Sequence, residues 1–214
     1  MHTNYTNKAM TILRNGKVFD FDALDVKVMT PELFAYGLND INRWNGHASM
    51  GMRWNHIDPM DRLRPEDINK STRAMTDLHH SFLVYLIVKK LWPDDKDLHL
   101  QALLHDAGEV IYGDIIGPIK KKLREIIKPI EHQIEALIGQ RYNVTFPWDA
   151  RIKTADLIAQ DIEGYLCFPL SIVGVNVGSD NIPSEEEEEI FWASYDFTPE
   201  NFIDILKKHD TITG

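Results

Sequence analysis

The residues best suited to chemistry lie in the run Ala102-Leu103-Leu104-His105-Asp106-Ala107-Gly108-Glu109. A His-Asp pair alone carries little information, since about one is expected by chance in a chain with nine His. A second pair, His209-Asp210, sits in a polar tail and is given no role. Context sets His105-Asp106 apart. The pair follows two leucines, so ionisable groups continue a core-facing stretch, and acidic groups in such places are rarely buried unless paired or bound to metal. Glu109 stands three residues after Asp106 and four after His105. On a helix the three share one face, so a ligand pair and a general acid or base would project into one pocket.

Two further segments offer ligands. Asp77-Leu78-His79-His80-Ser81 precedes an apolar helix body, and Lys153-Thr154-Ala155-Asp156-Leu157 sets one Asp among small and apolar neighbours. Imidazole mixed with carboxylate suits a divalent transition metal such as Mn, Fe, Co, Ni or Zn. Helical bundles build such sites from facing helices. Each residue also has a plainer reading. A lone His at a helix start is commonly a cap or packing group, a lone Asp a surface group, and Glu109 a helix-surface carboxylate. Only the combination points to a site.

The elements that must position these residues are mostly helical. Thr11 to Arg14 and Lys17 to Phe21 flank Asn15-Gly16 and predict a hairpin within residues 10–22, with both turn residues at positive φ. Thr30-Pro31 predicts a helix start, with the helix running to about Arg43. Residues 45–71 show no clear period and predict a long loop with little regular structure. Helices are then expected from Thr72 to Trp92, over 96–111, over 118–128, over 130–142 with Pro129 as the break, and over 147–166. A C-terminal extension, 169–214, holds a loop and two helices capped by Ser184 and Thr198. The expectation is one domain over 1–214, all-α with a small N-terminal β-hairpin.

Composition narrows the classes. The formal net charge of −10 argues against non-specific binding to nucleic acid or anionic lipid. The longest apolar run, Phe82 to Val88, is too short to cross a bilayer, and residues 1–5 carry no signal pattern. The single cysteine, Cys167, forms no intrachain disulfide, which suits a cytoplasmic setting. Its apolar neighbours favour an inert buried thiol over a nucleophile.

Taken together, the motifs resemble those of the HD-domain metal-dependent phosphohydrolases, in particular the YfbR-like 5′-deoxynucleotidase branch. The carriers are Ile41-Asn42-Arg43-Trp44-Asn45-Gly46-His47, His80-Ser81, Leu103 to Glu109, Gly113-Asp114, Pro118-Ile119-Lys120 and Ala155-Asp156, spread over about Thr11 to Leu166. The resemblance implies an HD-domain helical bundle with one divalent metal ion held by His80, His105, Asp106 and Asp156. It implies Glu109 and Asp114 as catalytic groups. It also implies Arg43, Trp44 and Lys120 as substrate-binding groups, with Arg43 and Lys120 on phosphate and Trp44 against the 2′ position of the sugar. Without it, Arg43 and Trp44 read as packing and capping residues. The implied substrate is a small-molecule nucleotide, first a 5′-deoxynucleoside monophosphate. A deoxynucleoside triphosphate hydrolysed at the same metal site, or a non-catalytic nucleotide-binding regulatory module, are the alternatives, and a homodimer stays open. The chain departs from the pattern in three places. The stretch between Arg43-Trp44 and His80 is long. His79 stands where an acidic residue commonly precedes the first ligand, and a second Arg-Trp pair occurs at Arg53-Trp54.

Overall fold

The computed structural model describes residues 10–46, 49–50, 73–167 and 182–212. It is a helical bundle with a short hairpin at its N-terminal side, as the sequence predicts. Strands β1 (Met10–Ile12) and β2 (Val18–Asp20) pair antiparallel, Thr11 opposite Phe19. The turn differs from expectation. Gly16 alone takes positive φ, at +76°. Its N–H donates to the Leu13 carbonyl at 2.8 Å, and the Leu13 N–H donates to the Lys17 carbonyl at 2.8 Å. This is a type I turn closed by a glycine bulge, which needs one left-handed residue and not two. Asn15 is free to donate its side-chain amide to the Val28 carbonyl at 3.2 Å, tying the turn to the body.

Helix α1 (Pro31–Asp40) starts as predicted, with the Thr30 hydroxyl accepting from the Leu33 N–H at 3.2 Å and Pro31 in the first turn. It ends at Asp40, earlier than Arg43, because Ile41 and Asn42 turn extended and Asn42 bridges to Thr76. The expected loop is not wholly irregular. Arg43–Gly46 forms a 3-10 turn, and Ser49–Met50 (β3) pairs antiparallel with Arg73–Ala74 (β4). His47, Arg53 and Trp54 lie outside the described residues.

Helix α2 (Asp77–Leu91) is the axis of the bundle and packs against α1 and three of the helices that follow it. Leu78, Phe82, Leu83, Val84, Ile87 and Val88 bury on several sides of it, the pattern of a core helix. Around it stand α3 (Lys96–Leu104), α4 (Glu109–Tyr112), α5 (Gly117–Lys122), α6 (Arg124–Tyr142), α7 (Ala150–Cys167), α8 (Glu185–Ala193) and α9 (Pro199–Lys207). One apolar cluster joins the hairpin, α1, α6 and α9 to α2; the other joins α2 to α3, α7 and α8. Burial of each large apolar side chain contributes roughly 1.5–3 kcal/mol.

Further predicted helix boundaries are overturned: the helix expected from Thr72 begins only at Asp77, because Arg73–Ala74 is drawn into the pairing with β3. The helix expected over 96–111 stops at Leu104. Residues 105–108 form tight turns: Ala107 N–H donates to the Leu104 carbonyl and Glu109 N–H to the Asp106 carbonyl, each at 3.0 Å, before α4 begins. The break expected at Pro129 falls instead at Leu123, where φ is −102° and ψ 15°, and α6 runs through Pro129. Proline costs α6 one N–H bond, and its lost acceptor, the Glu125 carbonyl, is on an exposed residue and can be hydrated. The two C-terminal helices carry the caps predicted for them, with Ser184 and Glu187 bonded reciprocally.

Gly37 has a packing role. A Cβ there would collide with the Val110 side chain, so α1 closes on α4 only because residue 37 is glycine. Asp210, given no role from sequence, is a structural anchor: its buried carboxylate accepts from Arg141 at 2.7 Å. Cys167 is buried, and burial pushes its thiol well above the ordinary range, as expected of an inert cysteine.

Candidate metal centre and cleft

Each metal-ligating type arrives from a different element. Thr76 starts α2, and His79 returns its Nδ1 to the Thr76 N–H at 3.3 Å and hydroxyl at 2.8 Å. His79 also stacks on Tyr195 at 4.4 Å. That leaves His80 to point inward from the same first turn. The end of α3 delivers His105, the tight turn after it delivers Asp106, and the first half of α7 delivers Asp156. His80 Nε2 lies 3.2 Å from Asp156 Oδ1 and 3.5 Å from Asp106 Oδ2, and His105 Nε2 lies 3.3 Å from that same Asp106 oxygen. One donor atom each from His80, His105 and Asp156 falls within 4.8 Å of the others.

These residues fit a divalent cation. His105 donates its Nδ1 proton to the Ala102 carbonyl at 2.8 Å, and its buried Nε2 has no hydrogen bond among the described residues. His80 places its Nδ1 2.5 Å from Glu163 Oε1. Both rings are thus oriented through one nitrogen with the other turned to the carboxylates, the arrangement that fixes a metal-binding tautomer. Desolvation alone would raise Asp106 and Asp156. Nearby positive groups outweigh it and hold both well below the usual carboxylate range: His105, then His80 and Arg43, for Asp106, and His80, His105 and Lys153 for Asp156. Burial and Arg43 oppose charge on His80, yet Glu163 and Asp156 prevail and push it up to about 10.

Arg43 sits inside this group. Its Nε donates to Glu163 Oε2 at 3.3 Å, and its terminal nitrogens lie 3.1 Å from His80 Nε2, 3.6 Å from Asp106, 3.8 Å from Asp77 and 4.0 Å from Asp156. The neighbouring Trp44 has φ +57°, rare for a bulky residue and costing about 1–3 kcal/mol. Its indole N–H donates to the same Glu163 oxygen at 3.1 Å. A strained backbone held by a buried side-chain bond marks a position whose orientation matters.

The cleft above these groups is about 690 Å³, ample for a small ligand. Arg43, Trp44, Asp106, Glu109, Asp114, Lys120 and Asp156 all line it. His80 and His105 lie directly behind it, each within 3.5 Å of Asp106. Glu109 is buried, and desolvation, Asp106 and Asp77 together push its carboxyl up to about 9. Lys120 bridges Glu109 at 3.3 Å and Glu131 at 2.8 Å.

Sequence reasoning missed Asp77, Glu163, Lys153 and Gln160. Asp77 is fully buried, neither oxygen has a hydrogen bond among the described residues, and it groups with Glu109 and Asp114 within 4.8 Å. Burial pushes it up to about 7. Lys153 and Gln160 line the cleft and bind the Asp156 carboxylate from either side, each at 2.7 Å. All four leave a spacing signal: Asp77 precedes His80 by three, and Lys153, Gln160 and Glu163 stand three before, four after and seven after Asp156.

A helical bundle with a His, His-Asp, Asp constellation facing a cleft defines an HD-type domain. Residues 55–165, just over half of the chain, match the family described as 5′-deoxynucleotidase YfbR-like, and the chain belongs to that HD-domain family. The family's chemistry is that of metal-dependent nucleotide phosphohydrolases. An uncharacterized protein of Rhodobacter capsulatus is 26% identical over 149 residues, which cover 66% of this chain and 65% of that protein. Among the described residues, no helix is long and apolar enough to cross a membrane.

Proposed function

We propose that this chain hydrolyses 5′-deoxynucleoside monophosphates to deoxynucleoside and phosphate, with a divalent metal ion held by His80, His105, Asp106 and Asp156. The observation that carries this is the single cleft. Three cationic side chains (Arg43, Lys120 and Lys153), an aromatic wall and a protonatable carboxyl open into the space in front of the four proposed ligand residues.

When bound, a divalent ion supplies Lewis acidity to a phosphoryl oxygen and lowers the pKa of water. The remaining work falls to the chain. Arg43 presents its planar fork to the phosphate, and Lys120 adds positive charge at the cleft wall. Glu109, whose neutral form burial and two carboxylate neighbours favour in the metal-free protein, gives its proton to the departing 5′-oxygen as the P–O bond breaks and the water–phosphorus bond forms. Asp114 orients the sugar hydroxyl, and Trp44 packs where a 2′-hydroxyl would project. Phosphate release from dAMP and AMP with Mn²⁺ or Co²⁺ tests this. Preference for dAMP, relaxed by Trp44→Ala, is expected; equal rates on the two would remove the role given to Trp44.

One observation favours a second reading, hydrolysis of a deoxynucleoside triphosphate. A groove of about 460 Å³ shares Gly117 and Lys120 with the cleft and continues past Lys121, Arg124 and Lys128. Those cations could take further phosphates. Glu131 and Glu135 line the same groove and oppose that binding, so the monophosphate is the first choice.

A further inference from the structure

We infer that Glu163 is a positioning residue through which metal affinity and recognition of the sugar are coupled. The inference rests on the proposed function for its ligands and goes beyond it in tying them together.

Glu163 is fully buried in the second half of α7, and it spends both oxygens on the site. Oε1 takes the His80 Nδ1 proton at 2.5 Å, which turns Nε2 toward Asp106 and Asp156. Oε2 takes the Arg43 Nε–H at 3.3 Å and the Trp44 indole N–H at 3.1 Å. One rigid carboxylate thus holds a proposed metal ligand on one side and the phosphate-facing and sugar-facing residues on the other. Trp44 cannot leave its left-handed backbone conformation without breaking its bond to the group that orients His80. A carboxylate has no donor to offer, so it leaves His80 only the tautomer with Nδ1 protonated. Glutamine at the same place can turn its amide toward Nδ1, which invites the opposite tautomer and puts a proton on the ligating nitrogen.

Two sites joined by a shared group influence each other reciprocally. A 2′-deoxynucleoside lacks the phosphate, the anionic group that a divalent ion would hold most strongly. An effect of metal on its affinity then reports chiefly on coupling through the protein, for which the Glu163 bonds to His80, Arg43 and Trp44 provide a path.

The test uses the full chain in binding measurements. Glu163→Gln should bind Mn²⁺ about 10–100-fold more weakly by titration calorimetry, the usual loss when a partner of a metal-binding His is changed. Glu163→Asp, which keeps the charge, should recover part of that affinity. In the unaltered protein, a 2′-deoxynucleoside drawn from a panel of all four should bind about 5-fold or more tightly with Mn²⁺ than after chelation, a typical coupling. This second arm needs no variant and decides the matter even if Glu163→Gln does not fold. Unchanged Mn²⁺ affinity in a folded Glu163→Gln would overturn the inference, since a purely structural residue lowers the melting temperature alone. Equal deoxynucleoside affinity with and without Mn²⁺, or none in either state, would overturn it too. Failure of the proposed function reads differently: the protein would hydrolyse no nucleotide while these binding results still stood or fell by themselves.

Discussion

Asp156 and Glu163 stand seven residues apart on α7 and take hold of opposite nitrogens of one imidazole: Asp156 Oδ1 is 3.2 Å from His80 Nε2, and Glu163 Oε1 is 2.5 Å from His80 Nδ1. Two turns of helix therefore fix both the position and the tautomer of His80. The candidate metal centre depends on how α7 lies against the start of α2.

That relationship separates two adjacent histidines. His80→Ala should reduce bound metal to background by elemental analysis. His79→Ala should keep the metal and cost about 1–2 kcal/mol of stability, because His79 caps α2 through Thr76 and stacks on Tyr195. Full metal occupancy in His80→Ala would refute the assignment.

Metal uptake should compete with protons. Glu163 and Asp156 push His80 up to about 10, so near neutral pH its Nε2 must lose a proton before it can ligate. Titrations of the chelator-treated protein with Mn²⁺ should show affinity rising as pH is raised from about 6 to about 9, with protons released on binding. Affinity independent of pH over that range would contradict the geometry.

Glu109 sets a second pH dependence. Its folded-state pKa, about 9, lies above that of an unfolded glutamate, so the folded state holds the extra proton between the two values. Its contribution to stability is therefore greatest below the unfolded value and falls as pH rises toward 9. In chelator-treated protein, Glu109→Gln should flatten that fall, and denaturant midpoints across pH will read it. With metal, the same variant should keep binding but lower kcat by about 10²–10⁴. Turnover near that of the unaltered protein would remove Glu109 from the mechanism.

The core around α2 should be intolerant of cavities. Phe82 is fully buried, stacked on Phe197 at 4.1 Å and edge-on to Phe202. Phe82→Ala should cost about 3–5 kcal/mol. A loss below 1 kcal/mol would mean that the last two helices close around the gap.

Much of this was legible in the sequence because its signals are local. Thr30-Pro31, Ser184 with Glu187, and Thr198-Pro199 mark helix starts through groups bonded within three residues of each other. The break after Leu104 was hidden because Leu103, Leu104, Ala107 and Ile111 keep helical spacing across it. Pro129 misled because its effect depends on whether the freed carbonyl meets water, and sequence does not show which face is wet. Glu163 lies in Asp161-Ile162-Glu163-Gly164, where an exposed Asp and a buried Glu look alike until the partners from α2 and the Arg43 turn are in place.

The claim that the cleft serves a monophosphate rests on product identity. The direct measurement is the product released from dAMP and dATP with one metal, resolving inorganic phosphate from tripolyphosphate. Inorganic phosphate released from dAMP is the expected result. Tripolyphosphate from dATP with dAMP left intact would contradict it and assign the groove past Lys121 and Arg124 to the substrate's outer phosphates.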